Sequence, residues 1–178
     1  FDGDGDRIGL ITDKGQSVVA DRIIMLIAEF YLSEVKGPVV FDVKCSNQLP
    51  ILIKKLGGEA IMEKTGHFNI KKKIKETNAV LGGEMSGHIF INHEWYGFDD
   101  AIFTAVIITK IISNLDINIS ELIKKFPSTY STPELNLNVK DEDKFDMVEK
   151  FKVEMEFPNA EINLIDGVRV TIDNSWAL

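Results

Sequence analysis

Three aspartates near the start of the sequence, Asp2, Asp4 and Asp6, are separated by single glycines. Glycine permits a tight turn that brings the three carboxylates together. Converging carboxylates repel one another unless a cation lies among them, and oxygen ligands select Mg²⁺ or Ca²⁺. An EF-hand calcium loop needs glycine at its sixth position and glutamate at its twelfth, where this chain has Arg7 and Asp13. We therefore predict a magnesium loop, with a solvated acidic turn as the alternative, and an arginine beside it suits a metal-bound phosphate.

A second candidate site lies in the glycine-rich segment 82–88, between two predicted strands. It carries a carboxylate, a hydroxyl and an imidazole at Glu84, Ser86 and His88. Alternate positions of an extended backbone face the same side, so we expect these three groups to point together. An acceptor with short polar neighbours suits the vicinal hydroxyls of a sugar. The alternative is that these residues only form a turn.

Two further polar side chains, Lys44 and His67, each stand where a predicted strand gives way to a helix. In open α/β sheets ligands bind at that edge, and helix N-termini favour anions. The alternative is structural, with Ser46 and Thr65 as helix caps and Lys44 solvated.

Apolar periodicity predicts that strands and helices alternate over the first 125 residues. Asp21 is the expected cap of the first helix, and Asp99 or Asp100 that of a nearly all-apolar helix that should be buried. This alternation predicts an α/β/α layered sandwich with helices on both faces of the sheet. The predicted strands are 7–11, 39–43, 59–62, 79–81 and 89–91, and the predicted helices are 21–33, 47–56, 69–75, 99–113 and 120–125.

The segment 126–133 is rich in proline, serine and threonine, which indicates a linker. Beyond it we predict the start of an α+β unit. Its predicted strands are 134–139, 162–165 and 168–172, and its predicted helix is 141–156.

Composition limits the function classes. The formal charge of −8 over 178 residues argues against nucleic acid or an anionic membrane as a partner, because phosphates require clustered lysine and arginine. Cys45 is the only cysteine, which excludes an internal disulfide and favours a reducing, cytoplasmic location. The longest apolar stretch, around 101–112, is too short and interrupted to span a membrane.

Four motifs occur in an order and spacing that resemble the α-D-phosphohexomutase family, and the similarity extends to STPELN at 131–136 and DGVRV at 166–170. Met85 resembles the phosphomannomutase/phosphoglucomutase branch, since the phosphoglucosamine mutase branch, our main alternative, usually has glutamine there. The four motifs are FDGDGDR at 1–7, DVKCSN at 42–47, TGHFNIKKK at 65–73 and GEMSGH at 83–88.

The resemblance implies three domain segments, with residues 1–12 ending a metal-binding domain, 13–127 forming a sugar-binding domain and 128–178 beginning a phosphate-binding domain. It implies an isomerase that interconverts mannose or glucose 1-phosphate and 6-phosphate through a 1,6-bisphosphate and an enzyme phosphoserine. The implied roles are Mg²⁺ binding by Asp2, Asp4 and Asp6, substrate binding by Lys44, His67, Glu84, Ser86 and His88, and catalysis by His88, Arg7 and Lys44.

The phosphoserine segment and the terminal phosphate loop of that family do not occur in this sequence, which opens at Phe1 and closes in a predicted strand. We therefore expect an internal fragment of a longer enzyme, inactive by itself. Two other hypotheses stay open, a non-catalytic sugar-phosphate-binding module and a calcium-binding interaction domain, the latter weakened by Arg7.

Overall fold

A computed structural model describes all residues from Phe1 to Leu178. The chain forms two compact units, Phe1–Phe126 and Pro127–Leu178. None of its helices has the length and apolar character needed to cross a membrane. The three domain segments implied by the resemblance stay a prediction, and residues 1–12 lie within the first compact unit.

The first unit alternates strands and helices, as the apolar periodicity predicts. Its elements are β1 (Leu10–Ile11), β2 (Ser17–Val18), α1 (Ala20–Glu34), β3 (Pro38–Asp42), α2 (Gln48–Lys55), β4 (Glu59–Glu63), α3 (His67–Thr77), β5 (Leu81–Gly83), β6 (Ile89–Ile91), α4 (Ala101–Ser113) and α5 (Ile119–Lys124).

The central sheet has the strand order β4-β3-β5-β6. β3 pairs in parallel with both β4 and β5, while β6 returns antiparallel along β5. Successive residues of β3 face opposite sides of the sheet. Val39 and Phe41 pack into a core with α1, α2 and α4, whereas Val40 packs with Ile70 and Ile74 of α3 on the other side. The predicted α/β/α sandwich is thus confirmed.

Strand β5 contains two glycines because a helix approaches each of its faces closely. A methyl group on Gly82 would lie 2.5 Å from Ile74 Cδ1 of α3, and one on Gly83 would lie 2.5 Å from Ile24 Cδ1 of α1. Both distances are too short for real carbon contacts, so the two helices can pack this closely only against residues without a side chain.

Two local predictions in this unit are corrected by the structure. Asp21 does not cap α1, since the N-cap is Val19; instead Asp21 is buried and its Oδ2 accepts a hydrogen bond of 3.3 Å from the Ser46 amide. Helix α4 is not wholly buried, because Ile102 and Val106 are more than half exposed. Sequence hydrophobicity alone does not show which face of a helix lacks a packing partner.

The second unit contains one helix and a three-stranded antiparallel sheet. These elements are α6 (Lys144–Glu154), β7 (Glu161–Asn163), β8 (Arg169–Ile172) and β9 (Ser175–Ala177), in the sheet order β7-β8-β9. The predicted strand 134–139 is wrong, since this segment belongs to no sheet and its residues are exposed. Alternating apolar residues form a strand only where a neighbouring strand pairs with the backbone. Within β8, Arg169 is buried and its guanidinium lies 3.8 Å from the ring centre of Trp176.

Candidate functional site

The parallel strands bring several predicted site residues to one edge of the sheet. β3, β4 and β5 run in the same direction, so their carboxyl ends meet at that edge. Lys44 follows β3 in a half-buried position, His67 begins α3 after β4, and Glu84 directly follows β5. This is the edge at which open α/β sheets bind ligands. Neither predicted alternative cap is found, because Asn47 caps α2 and Gly66 caps α3.

Residues 84–88 form a tight hairpin between β5 and β6 rather than an extended strand. The Glu84 amide donates to the His88 carbonyl at 2.9 Å, and the Gly87 amide donates to the Glu84 carbonyl at 3.0 Å. Glu84 is 1% exposed, whereas Ser86 is exposed at the tip of the turn. The extended backbone expected for Glu84, Ser86 and His88 is therefore wrong, because the segment forms the turn that was the stated alternative and the alternation rule applies only to strands.

The acidic loop lies against this hairpin. Arg7 and His88 form an isolated antiparallel bridge, and the Ile8 amide donates to the Gly87 carbonyl at 3.2 Å. Gly87 has a φ of 99°, and a methyl group on it would lie 3.0 Å from the Ile8 carbonyl oxygen. Only glycine tolerates both conditions. This pairing of the acidic loop with the hairpin places His88 Nδ1 3.7 Å from Asp6 Oδ2.

The three aspartates of the acidic loop converge, as the glycine spacing predicts. Asp2, Asp4 and Asp6 each bring one carboxylate oxygen within 4.8 Å of the others. Asp6 Oδ1 is buried and accepts no hydrogen bond, which leaves it suited to a cation. Arg7 Nε donates to Asp2 Oδ2 at 2.6 Å, and this hydrogen bond holds the pKa of Asp2 well below its usual range and raises the pKa of Arg7.

Sequence reasoning gave no functional role to Asp42, the last residue of β3. Its side chain is 1% exposed and connects three loops of the site. Oδ1 accepts from Cys45 Sγ at 3.1 Å and from the Met85 amide at 3.2 Å, and Oδ2 lies 3.5 Å from Thr65 Oγ1. Burial raises the pKa of Asp42. The sequence signal that could have drawn attention to Asp42 is its position as a carboxylate at the end of an otherwise apolar strand.

Glu84 is held in place by the backbone at the start of α3. One of its carboxylate oxygens, Oε1, accepts a hydrogen bond from the Gly66 amide at the start of α3. Burial raises the pKa of Glu84, and the negative charge of Asp42 raises it further. The site thus contains two buried carboxyl groups, both with raised pKa values, at the carboxyl ends of adjacent parallel strands.

Asp99 also had no predicted binding role, only that of a candidate helix cap. Its Oδ2 lies 3.2 Å from His88 Nδ1 and 3.3 Å from His67 Nδ1, and its Oδ1 accepts from Lys71 Nζ at 3.0 Å. The contact with His88 is at ion-pair distance without hydrogen-bond alignment. The actual cap of α4 is Asp100, which accepts from the Phe103 amide at 2.8 Å.

Comparisons with known proteins identify the family to which this chain belongs. The family model described as phosphoglucomutase/phosphomannomutase, alpha/beta/alpha domain III, matches residues 20–130. The chain belongs to the phosphoglucomutase/phosphomannomutase family. It is 47% identical along its whole length to a phosphomannomutase/phosphoglucomutase of Pseudomonas putida, and it spans 39% of that protein.

Solved structures of mutases share the fold. A phosphoglucomutase/phosphomannomutase family protein from Burkholderia thailandensis matches with a TM-score of 0.88 and 42% identity, over 96% of this chain and 36% of that one. An N-acetylphosphoglucosamine mutase from Aspergillus fumigatus, in complex with GlcNAc-6P and magnesium, matches with a TM-score of 0.58 over 71% of this chain and 34% of that one. Its identity is 17%, so this second likeness concerns the fold alone. The phosphohexomutase resemblance seen in the four sequence motifs is confirmed at the level of the family.

Proposed function

We propose that this chain forms the sugar-binding and metal-binding part of an enzyme that interconverts hexose 1-phosphates and hexose 6-phosphates of mannose and glucose. One observation carries the proposal. The acidic loop is joined to the hairpin that follows Glu84 by the Ile8–Gly87 hydrogen bond and the bridge between Arg7 and His88. Groups suited to a cation and groups suited to sugar hydroxyls therefore line one site.

The acidic loop fits a bound Mg²⁺. Asp2, Asp4 and Asp6 offer oxygen ligands within 4.8 Å of one another, and Asp6 Oδ1 is buried without a hydrogen bond. Hard oxygen ligands of this kind match magnesium, which when bound neutralises negative charge on a phosphoryl group. Arg7 belongs to the same loop, and its guanidinium would neutralise a further part of that charge once it turns from Asp2 to a phosphate.

The opposite side of the site would bind the sugar. Glu84 would accept hydrogen bonds from sugar hydroxyls, and Ser86, exposed at the tip of the hairpin, would exchange hydrogen bonds with them. Lys44 and His67 stand at the same edge of the sheet and would contact the substrate or its phosphate. His88, between the acidic loop and this edge, is our candidate for moving a proton to or from a substrate oxygen.

The proposed reaction transfers phosphate in two steps. A phosphoserine outside these 178 residues gives its phosphoryl group to the free hydroxyl of the hexose phosphate, which forms a hexose 1,6-bisphosphate. After the sugar turns over in the site, the other phosphate returns to the serine. Such transfers depend on positioning and charge neutralisation more than on covalent chemistry by the protein, which agrees with a site composed of acceptors and cations.

The test is ³¹P NMR of the protein as encoded, including any sequence that flanks these residues, with glucose 1-phosphate or mannose 1-phosphate and Mg²⁺. We expect conversion to the 6-phosphate, and no conversion by the 178 residues alone. Glu84→Gln should lower turnover by at least about 10-fold, because a neutral amide accepts weaker hydrogen bonds than a carboxylate. Glu121→Gln, at an exposed position in α5, is the matched control.

The outcomes separate the competing hypotheses. An encoded protein that converts neither sugar phosphate contradicts the proposal, and preferred turnover of glucosamine phosphate would assign it to the alternative branch. Tight binding of glucose 1,6-bisphosphate by the 178 residues alone, without turnover by the encoded protein, would support the non-catalytic module instead. An unchanged rate in Glu84→Gln rejects the role given to Glu84.

A further inference from the structure

Asp99 is fixed at the margin of the candidate site by its backbone. It forms an isolated antiparallel bridge with Phe90, the central residue of β6, immediately before the cap of α4. Its side chain is only 9% exposed. The carboxylate therefore has a defined position between a strand of the central sheet and the start of a helix, which is a rigid support for a site.

The carboxylate brings two imidazoles and a lysine together from separate parts of the chain. Oδ2 lies 3.3 Å from His67 Nδ1 at the start of α3 and 3.2 Å from His88 Nδ1 in the hairpin. Oδ1 accepts from Lys71 Nζ at 3.0 Å, one helical turn after His67. The two imidazole rings lie nearly parallel, with centres 5.8 Å apart and an interplanar angle of 21°.

An ionised carboxylate can only accept hydrogen bonds. Burial opposes ionisation of Asp99, but the hydrogen bond from Lys71, supported by the other groups around it, outweighs burial and keeps the pKa of Asp99 below its usual range. Neither imidazole contact is aligned as a hydrogen bond, but a negative charge this close to Nδ1 favours the neutral imidazole that carries its hydrogen on Nδ1. Its other nitrogen, Nε2, then has a free lone pair that can accept a proton or a hydrogen bond elsewhere.

We propose that Asp99 is a positioning residue, which holds His67 and His88 side by side with hydrogen on Nδ1 so that both present Nε2 to the sugar phosphate. The benefit to turnover rests on the proposed function, whereas the effect on the two imidazoles does not. Lys71 completes the arrangement by fixing the second oxygen of the carboxylate. Asp99 itself is not expected to touch the substrate.

The test compares Asp99→Asn with Asp100→Asn by long-range ¹H–¹⁵N NMR of the histidine rings in the 178-residue chain, at a pH where the rings are neutral. The first substitution would keep the size of the side chain but remove the charge that selects the Nδ1–H form. We expect Nδ1–H rings for His67 and His88 in the unchanged protein. In Asp99→Asn we expect a shift toward Nε2–H that is larger for His67, because Asp6 Oδ2 still lies 3.7 Å from His88 Nδ1. His93, which packs against Tyr31 instead, should not change.

The control is the same substitution one residue later. Asp100→Asn should leave all three imidazoles unchanged, because asparagine also caps helices and Asp100 contacts Phe103 and Trp95 rather than a histidine. In the encoded protein Asp99→Asn should lower kcat by about 10- to 100-fold, the range known for partners that orient metal-binding histidines, with a smaller change in KM.

An Nε2–H ring for His67 in the unchanged chain, or identical ring spectra in Asp99→Asn, would overturn the inference whether or not the protein is a mutase. Failure of the unchanged encoded protein to turn over hexose phosphates would instead reject the proposed function and leave the imidazole result standing. A normal kcat in Asp99→Asn together with shifted tautomers would reject the positioning role.

Discussion

A methyl group added at Gly82 should push helix α3 away from the central sheet. The added carbon would lie 2.5 Å from Ile74 Cδ1, 2.9 Å from Ile70 Cγ2 and 3.2 Å from Ile74 Cγ1. Both isoleucines are buried, so relieving these contacts requires their side chains or the helix to shift within a packed core. Because α3 begins at His67 and Gly82 leads into Glu84, this contact also sets the spacing between two parts of the candidate site.

Two effects of the Gly82→Ala substitution oppose each other. Alanine restricts the unfolded chain, which stabilises the folded state by about 0.4–1 kcal/mol. Overpacking in a buried core costs about 1–3 kcal/mol. We therefore expect a net loss of about 1–2 kcal/mol in the free energy of unfolding. Gly9→Ala is the matched control, because a methyl group there has no neighbour within 4 Å and the backbone is not in the left-handed region; it should be neutral or slightly stabilising.

The cause can be isolated with a double substitution. Ile74→Val removes Cδ1, the atom in closest contact, at a cost of about 0.5–1.5 kcal/mol when made alone. In the double variant the overpacking should be partly relieved, so the combined loss should be smaller than the sum of the single losses by at least about 0.5 kcal/mol.

Urea unfolding followed by Trp95 fluorescence measures these losses in the first compact unit, provided that Trp176 of the second unit is replaced by phenylalanine throughout. Strict additivity of the two substitutions, or a Gly82→Ala variant as stable as Gly9→Ala, would refute the close packing of α3 on β5.

Two further predictions concern the carboxylates of Asp13 and Asp42. Asp13 Oδ1 and Oδ2 accept from the amide and hydroxyl of Ser120 at 2.8 and 3.0 Å, which lowers the pKa of Asp13; Asp13→Asn should therefore unfold at lower urea than the unchanged chain near neutral pH, with the difference shrinking as pH falls below about 4. A gap between the two urea midpoints that is constant from pH 7 to pH 3 would contradict this. Asp42 has a raised pKa, so its charge reduces stability as pH rises through that pKa, and Asp42→Asn should gain stability relative to the unchanged chain over the same rise. Asp42→Asn should also lower kcat/KM in the encoded protein, because an asparagine side chain cannot hold Cys45, Thr65 and Met85 as the carboxylate does. A difference in urea midpoint that does not change with pH would reject the stability prediction. An unchanged kcat/KM would reject the activity prediction.

Local signals were sufficient for much of the fold. Asp100 caps α4 as one of the two predicted candidates, and β6 has the predicted bounds, because caps and short apolar strands are encoded by adjacent residues. The convergence of Asp2, Asp4 and Asp6 was likewise predictable, since three ligands and their glycines occupy one short loop.

Interactions between distant segments were not predictable in this way. Asp42 reaches Met85 across 43 positions of the chain, and Asp99 reaches Lys71 across 28, so local sequence does not show which segments either carboxylate contacts. The same reason explains the absence of a strand at 134–139, where alternation was present without a pairing partner. At 84–88 the sequence left two conformations open, an extended backbone and a turn, and the positive φ of Gly87 accompanies the turn.

The central claim is that a divalent cation in the acidic loop lies beside the hairpin that carries His88. Mn²⁺, which has the same ligand preferences as Mg²⁺ but broadens nearby NMR signals, measures this directly when titrated into the ¹⁵N-labelled chain. We predict that the earliest signals to broaden belong to Asp4, Asp6, Gly87 and His88, and that Asp6→Asn removes the effect. Selective broadening of another acidic segment, such as residues 141–143, or of the acidic loop without the hairpin, would contradict the account.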